Sequence, residues 1–287
     1  MATMRSIKKR ITSVKNTKKI MKAMNLVATS KLQKARVRLD HVRPLYTNLM
    51  QVISSIQVGL DDDDEIAFCQ EREVKKIVYI VMTSDRGLCG SFNANVSKEA
   101  LALIESNKDK KEKIIAVGRK GGDYFARRGK TIEHRFPASS ESTSFADAEA
   151  LGRRVADMFL SGEADEVYIV NTRFETVLTH VPNVTKLLPF KYTGDKKSSG
   201  SSLSMTFDPD PATFVEHAIP MFLNISIFAA MLESAVCEQA SRMTSMDSAT
   251  RNATEIIENL TLEFNRVRQS KITQELIEIV TGANAVK

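Results

Sequence analysis

At 287 residues the chain is long enough for one large domain or two modest ones, and 43% hydrophobic with 26% charged residues is the composition of a folded protein, not a disordered one. The net charge of +6 is unevenly placed: residues 1–43 hold thirteen Lys and Arg against one acid, Asp40, while the remainder is net acidic. Cys69, Cys89 and Cys237 are odd in number and far apart, which excludes a disulfide framework or a cysteine-based zinc site.

No run approaches the ~18 apolar residues of a membrane-spanning helix, and MATMRSIKKR lacks the apolar core of a secretory leader. The expectation is a protein of the cytosol, or of the cytosolic face of something larger.

Residues 1–43 contain no Gly and no Pro, so a long helix is expected there. Steps alternating four and three from Ile7 give Ile11, Val14, Lys18, Met21, Asn25, Ala28, Leu32, Ala35, Leu39, Val42, Tyr46, Leu49, Ile53 and Ile56, and only Lys18 and Asn25 break the apolar series. That is a coiled-coil seam. Pro44 removes one backbone donor and should bend the helix or mark an irregularity. The acidic run 61–65 reads as a solvated loop.

The middle alternates strand and helix signals. KKIVYIVMTSD (Lys75–Asp85) reads as a buried strand, followed by the turn RGLCG and a helix from about Asn93 to Asn107. Lys113–Val117 is a second strand, GRKGGDYFARRG turns into a short helix, and Phe145–Leu160 is an amphipathic helix. Glu166–Asn171 is a further strand, and Phe174–Leu188 continues the pairing antiparallel, with VPN as an interruption. Strands alternating with helices indicate a small, mainly parallel sheet. Residues 194–204, rich in Lys, Ser and Gly, read as a flexible linker.

From Ala212 to Thr281 there is again no Gly, and one Pro, Pro220. FDPDP (Phe207–Pro211) marks the start of a second long helix. Ala218, Phe222, Ile225, Phe228, Leu232 and Ala235 form one stripe, Ala253, Ile257, Leu260, Phe264 and Val267 another, and small or flexible Ala240, Met243, Met246 and Ala249 join them. The helix is expected to run to about Val280 and end at Gly282. Each terminal helix is the other's most available partner. The fold expected is α/β: an antiparallel two-helix coiled coil (1–58 and 209–287) carrying an inserted Rossmann-like domain (74–192).

No catalytic constellation is present. SDRGLCGSFN (Ser84–Asn93) and GRKGGD (Gly118–Asp123) sit where glycine-rich turns cradle phosphates, yet neither matches GxGxxG or a P-loop. A structural turn is the favoured reading of both, and no cofactor is expected. His41, His134, His180 and His217 show no metal-ligand spacing, and GxSxG is absent. The basic N-terminal helix could face nucleic acid, an anionic membrane or an acidic protein partner. No aromatic residue precedes Tyr46 and the basic residues flank a pairing seam, so a protein partner is favoured.

KIMKAMNLVATSKLQKA (Lys19–Ala35), SDRGLCGSFN, SRMTSMDSATRNA (Ser241–Ala253) and ITQELIEIVTGANAV (Ile272–Val286) resemble, in order and from end to end, the gamma subunit family of the rotary F-type ATP synthase, in its bacterial form. The resemblance implies a non-catalytic rotor shaft that couples ion-driven rotation of the membrane c ring to ATP synthesis or hydrolysis on the alpha/beta hexamer. It implies alpha, beta, epsilon and c subunits as partners, no nucleic acid, and a peripheral position on the cytoplasmic face of the bacterial plasma membrane.

By the same resemblance Arg268, Gln269, Thr273 and Glu275 match residues that meet loops of the hexamer. Lys22 and Met24 lie in the motif that passes an acidic loop of beta, and Arg242 matches a basic residue that pairs with that loop. Asp208 and Asp210 match the region near the c ring and epsilon. The plant-type insertion with paired cysteines is missing, so thiol regulation of that kind is not expected.

Overall fold

The computed structural model describes residues 3–56, 66–138, 143–190 and 211–285. In chain order these form α1 (Met4–Ile56), β1 (Lys76–Met82), α2 (Phe92–Ser106), β2 (Lys111–Val117), α3 (Arg119–Ala126), β3 (Ile132–Phe136), α4 (Phe145–Leu160), β4 (Glu166–Phe174), β5 (His180–Leu188) and α5 (Pro211–Ala285). The acidic run 61–65, the 194–204 linker, Asp208 and Asp210 lie outside the described residues. Two compact units are present, one of Met1–Ala28 with Arg242–Lys287 and one of Thr29–Ser241.

The first unit is built from helix alone, the two segments running antiparallel. Ile7, Ala28, Met246, Ala253 and Leu260 are buried, and Ile11, Val14, Met21, Ile257, Phe264 and Val267 are half-buried. These are the seam positions expected from the four-three spacing. Asn25, one of its two polar breaks, donates Nδ2–H to the Met243 carbonyl at 2.8 Å. A polar group in the seam is thereby satisfied and also fixes the register of the pair.

The second unit contains a five-stranded sheet in the order β3-β2-β1-β4-β5. β1 pairs in parallel with β2 and β4, β2 with β3, and β5 closes one edge antiparallel to β4. Both faces of β1 are covered, which is why its sequence is a continuous apolar run. Val78, Ile80 and Met82 face a core that includes Leu151, Val155 and Phe159 of α4 and Ile219, Phe222 and Leu223 of α5. Ile77, Tyr79 and Val81 face Val96, Ala100 and Ile104 of α2 and Phe125 of α3. Leu32, Ala35, Leu39 and Ile53 continue the α1 seam, all buried. α4 starts with a capping box: Ser144 accepts from the Asp147 amide, and Asp147 accepts from the Ser144 amide.

Three elements differ from the sequence expectation. VPN does not interrupt β5: Val181, Pro182 and Asn183 pair with Arg173, Thr172 and Asn171. β5 is an edge strand, where the missing N–H of Pro182 can face away from the ladder. β3 had no sequence counterpart, because IEHRF is short and charged, as edge strands are. As expected, α1 continues through Pro44 and α5 through Pro220. The end of α5 differs, because the helix passes Gly282 and reaches Ala285.

From His217 onward α5 includes a window apolar and long enough to cross a membrane, but 67% of that window is buried inside the protein. Its composition is that of a core helix. On both long helices threonine hydroxyls bond the carbonyl four residues back: Thr12 to Lys8, Thr47 to Arg43, Thr261 to Ile257, Thr273 to Gln269 and Thr281 to Ile277.

Candidate functional site: the surfaces of the long helices

Helical periodicity decides which side chains the seam leaves outward. In α5 Val267 is half-buried in the seam, so Arg268 and Gln269 turn away from it and are exposed. Thr273 and Glu275 are exposed one and two turns further on, with Glu275 Oε1 3.5 Å from Lys271 Nζ. In α1 Lys22 is exposed and Met24 half-buried. Arg242 is only 8% exposed and is engaged within the chain, so most of this side chain is not offered outward. The long aliphatic stem of Arg makes such burial compatible with a satisfied head group.

The structure adds a feature that the residue-by-residue reading missed. Ile272, Leu276, Ile277, Ile279 and Val280 are all exposed on the last turns of α5, Leu276 at 57% and Ile279 at 67%. Ile20, Leu26 and Val27 are exposed on α1. The signal was present in the sequence as large apolar residues off the seam register, at positions that a solvated helix face would fill with Lys or Glu.

Ser84, at the head of the first glycine turn, and the start of α3 are tied to the chain itself. The Ser84 amide donates to Asn93 Oδ1 at 2.9 Å, and its hydroxyl donates to the Arg86 carbonyl at 2.6 Å. At the start of α3 the amides of Arg119, Lys120 and Gly121 donate to Asp85 Oδ1 (2.9 Å), the Ser84 carbonyl (3.0 Å) and Thr83 Oγ1 (2.9 Å). The first amides of α3, where a phosphate would sit, are thus already paired. A Cβ on Gly118 would stand 2.4 Å from the Thr83 carbonyl oxygen, and one on Gly121 2.7 Å from Thr83 Oγ1, so these glycines serve close packing.

Among the described residues no three His, Cys, Asp or Glu side chains cluster as metal ligands do. His134 Nε2 accepts from Arg154 Nε at 2.9 Å at the surface. His180 Nδ1 is buried without a partner among the described residues, and burial lowers the pKa of the ring.

The chain thus combines a helical pair that carries charged and large apolar side chains on its outer face with an α/β sheet in which the first amides of α3 are paired internally. A family model described as ATP synthase matches residues 3–286. The chain is 40% identical over 287 residues to the ATP synthase gamma chain of Desulforamulus reducens, covering all of both chains. It is 39% identical over 292 residues to that of Alkaliphilus metalliredigens, covering 99% of each. A chain of the Euglena gracilis mitochondrial ATP synthase superposes with a TM-score of 0.70 at 18% identity, over 99% of this chain and 94% of that one. A chain from the rotor of the same complex gives 0.66 at 20% identity, over 94% of this chain and 98% of that one. The chain belongs to the ATP synthase gamma-chain family. It is a non-catalytic subunit of that membrane-associated complex.

Proposed function

We propose that this chain transmits rotation through the outward surfaces of its two long helices. Residues 1–58 and 209–287 act as the shaft and 74–192 as the inserted domain. The alpha/beta hexamer meets the shaft at Arg268, Gln269, Thr273, Glu275, Lys22 and Met24, and at the exposed part of Arg242. Asp208 and Asp210 lie toward the c ring and epsilon. The complex sits on the cytoplasmic face of a bacterial plasma membrane, and the nucleotide chemistry takes place on beta.

One observation carries this reading: the end of α5 presents five large apolar side chains outward among charged ones. Covering each would gain about 1.5–3 kcal/mol, so a protein collar is the natural environment of such a helix end. The apolar surface has no angular preference, while the charged residues beside it can make contacts that change as the shaft turns.

Arg268 gives the test. Its fork of donors suits a carboxylate in a way that Lys cannot match. Truncating one side of a desolvated charge pair costs about 2–5 kcal/mol. Arg268→Ala should weaken assembly or coupled turnover while the free chain keeps its helical content and melting temperature, and Arg268→Lys should recover only part of the loss. Normal assembly and coupling of Arg268→Ala, or an effect confined to melting of the free chain, would reject the contact.

A further inference from the structure

The direction of strand winding reverses between β1 and β4, and in doubly wound folds the crevice beyond the carboxyl ends of such a pair is where ligands bind. Here the chain's own helix takes that place. Glu233, Cys237 and Ser241 are spaced by four on α5 and share one face. Each reaches a different part of the crevice wall. Glu233 Oε2 accepts from Asn171 Nδ2 at 3.3 Å, and Oε1 accepts from the Phe174 amide at 3.2 Å, both at the end of β4. Arg43 Nη2 of α1 lies 3.2 Å from the same Oε1. Cys237 donates to the Thr172 carbonyl at 3.4 Å. Ser241 donates to the Cys89 carbonyl, in the turn after β1, at 2.6 Å.

We propose that Glu233, Cys237 and Ser241 form a torque lock, a polar stripe that fixes the angular position of α5 against the sheet and so passes rotation between the α/β domain and the helix. The inference rests on the rotor reading above. Earlier in α5, Ile219, Phe222, Leu223, Ile227 and Met231 are held to the sheet by apolar packing. Apolar burial is non-directional, so it opposes separation more than it opposes turning. Hydrogen bonds weaken steeply once their angle and length are lost, so four of them, made by three residues at successive turns, resist both turning and sliding.

The lock is chemically complete. The Glu233 carboxylate has two hydrogen-bond donors and a guanidinium, which is what a partly buried charge requires. Burial, and then the charge of Glu233, push the Cys237 thiol well above its ordinary range, so it stays protonated and can donate. Polar ties of this kind add little net stability over an apolar contact of the same shape, and their yield is orientation.

The experiment uses the assembled complex in inverted membrane vesicles carrying Glu233→Gln with Ser241→Ala. Hydrolysis of ATP should stay within about twofold of wild type, while the ion gradient formed per ATP hydrolysed should fall at least about threefold, as expected when directional bonds are lost. Ser241→Thr, which keeps the donor, should couple like wild type. Unchanged coupling in the double variant would overturn the lock. So would failure of the double variant to fold or assemble, since that would assign the stripe to stability. Vesicles in which the wild-type chain itself supports no coupled turnover would instead reject the rotor reading.

Discussion

His180 makes the protein sensitive to acid without taking part in any chemistry. Its Nδ1 is buried without a partner among the described residues, and burial lowers the ring's pKa below its ordinary value. The unfolded chain therefore binds the proton more readily than the folded one. Stability is complete above about pH 6.5 and is lost as pH falls through that value toward the folded pKa. Melting of the free chain at about pH 7.5 and about pH 5.5 should show a drop that shrinks in His180→Gln. An equal drop in both proteins would show that His180 does not titrate on unfolding.

Single residues were also the least legible level of the sequence. The outward direction of Arg268 is legible because its neighbour Val267 lies in the seam, and Arg268 is exposed. Arg242, which by resemblance would pair with a loop of beta, is only 8% exposed, and nothing in the sequence signals that burial. Glu233, Cys237 and Ser241 were invisible as a group. Polar residue types at helical spacing ordinarily mark a solvated face, and only the fold brings β4 and the Ser84–Asn93 turn against them.

At the scale of elements, the four-three spacing located both long helices, and the apolar run located β1, because periodicity and burial are written in many residues at once. The elements that escaped were at the margins of the sheet. β3 is too short and charged to announce itself, and Pro182 signals a break until its strand is known to be an edge. The turn into α3 shows how a single position holds two elements together. Gly118 has φ +95°, a region nearly reserved for glycine, and its missing Cβ leaves room for the Thr83 carbonyl. Gly118→Ala should lose about 2–5 kcal/mol in urea melts, from backbone strain and overpacking together. Gly129 is also left-handed, at φ +71°, but open on the side where a Cβ would stand. Gly129→Ala should cost only about 1–2 kcal/mol, the backbone share alone. Similar losses at both sites would show that the close approach at Thr83 contributes nothing.

For the molecule as a whole, the α/β domain has a reversal of strand order of the kind beside which ligands bind, while the groups around it are used internally. The amides at the start of α3 are paired with Asp85, Ser84 and Thr83, and α5 stands over the crevice between β1 and β4. Calorimetry on the isolated, folded chain should find no ATP site in the micromolar range, and a tight site would refute this account of the turns.

The threonines that bond back to their own helices have a consequence for friction. Thr261, Thr273 and Thr281 of α5 are exposed, yet each spends its hydroxyl on a carbonyl of its own helix. What such a residue shows its surroundings is largely a methyl group. A surface that offers methyls in place of free hydroxyls gives a surrounding sleeve few directional bonds to make and break on each turn. In the proposed rotor, turning past these threonines would therefore cost little, and the deep stops would fall only where charged residues such as Arg268 make their contacts.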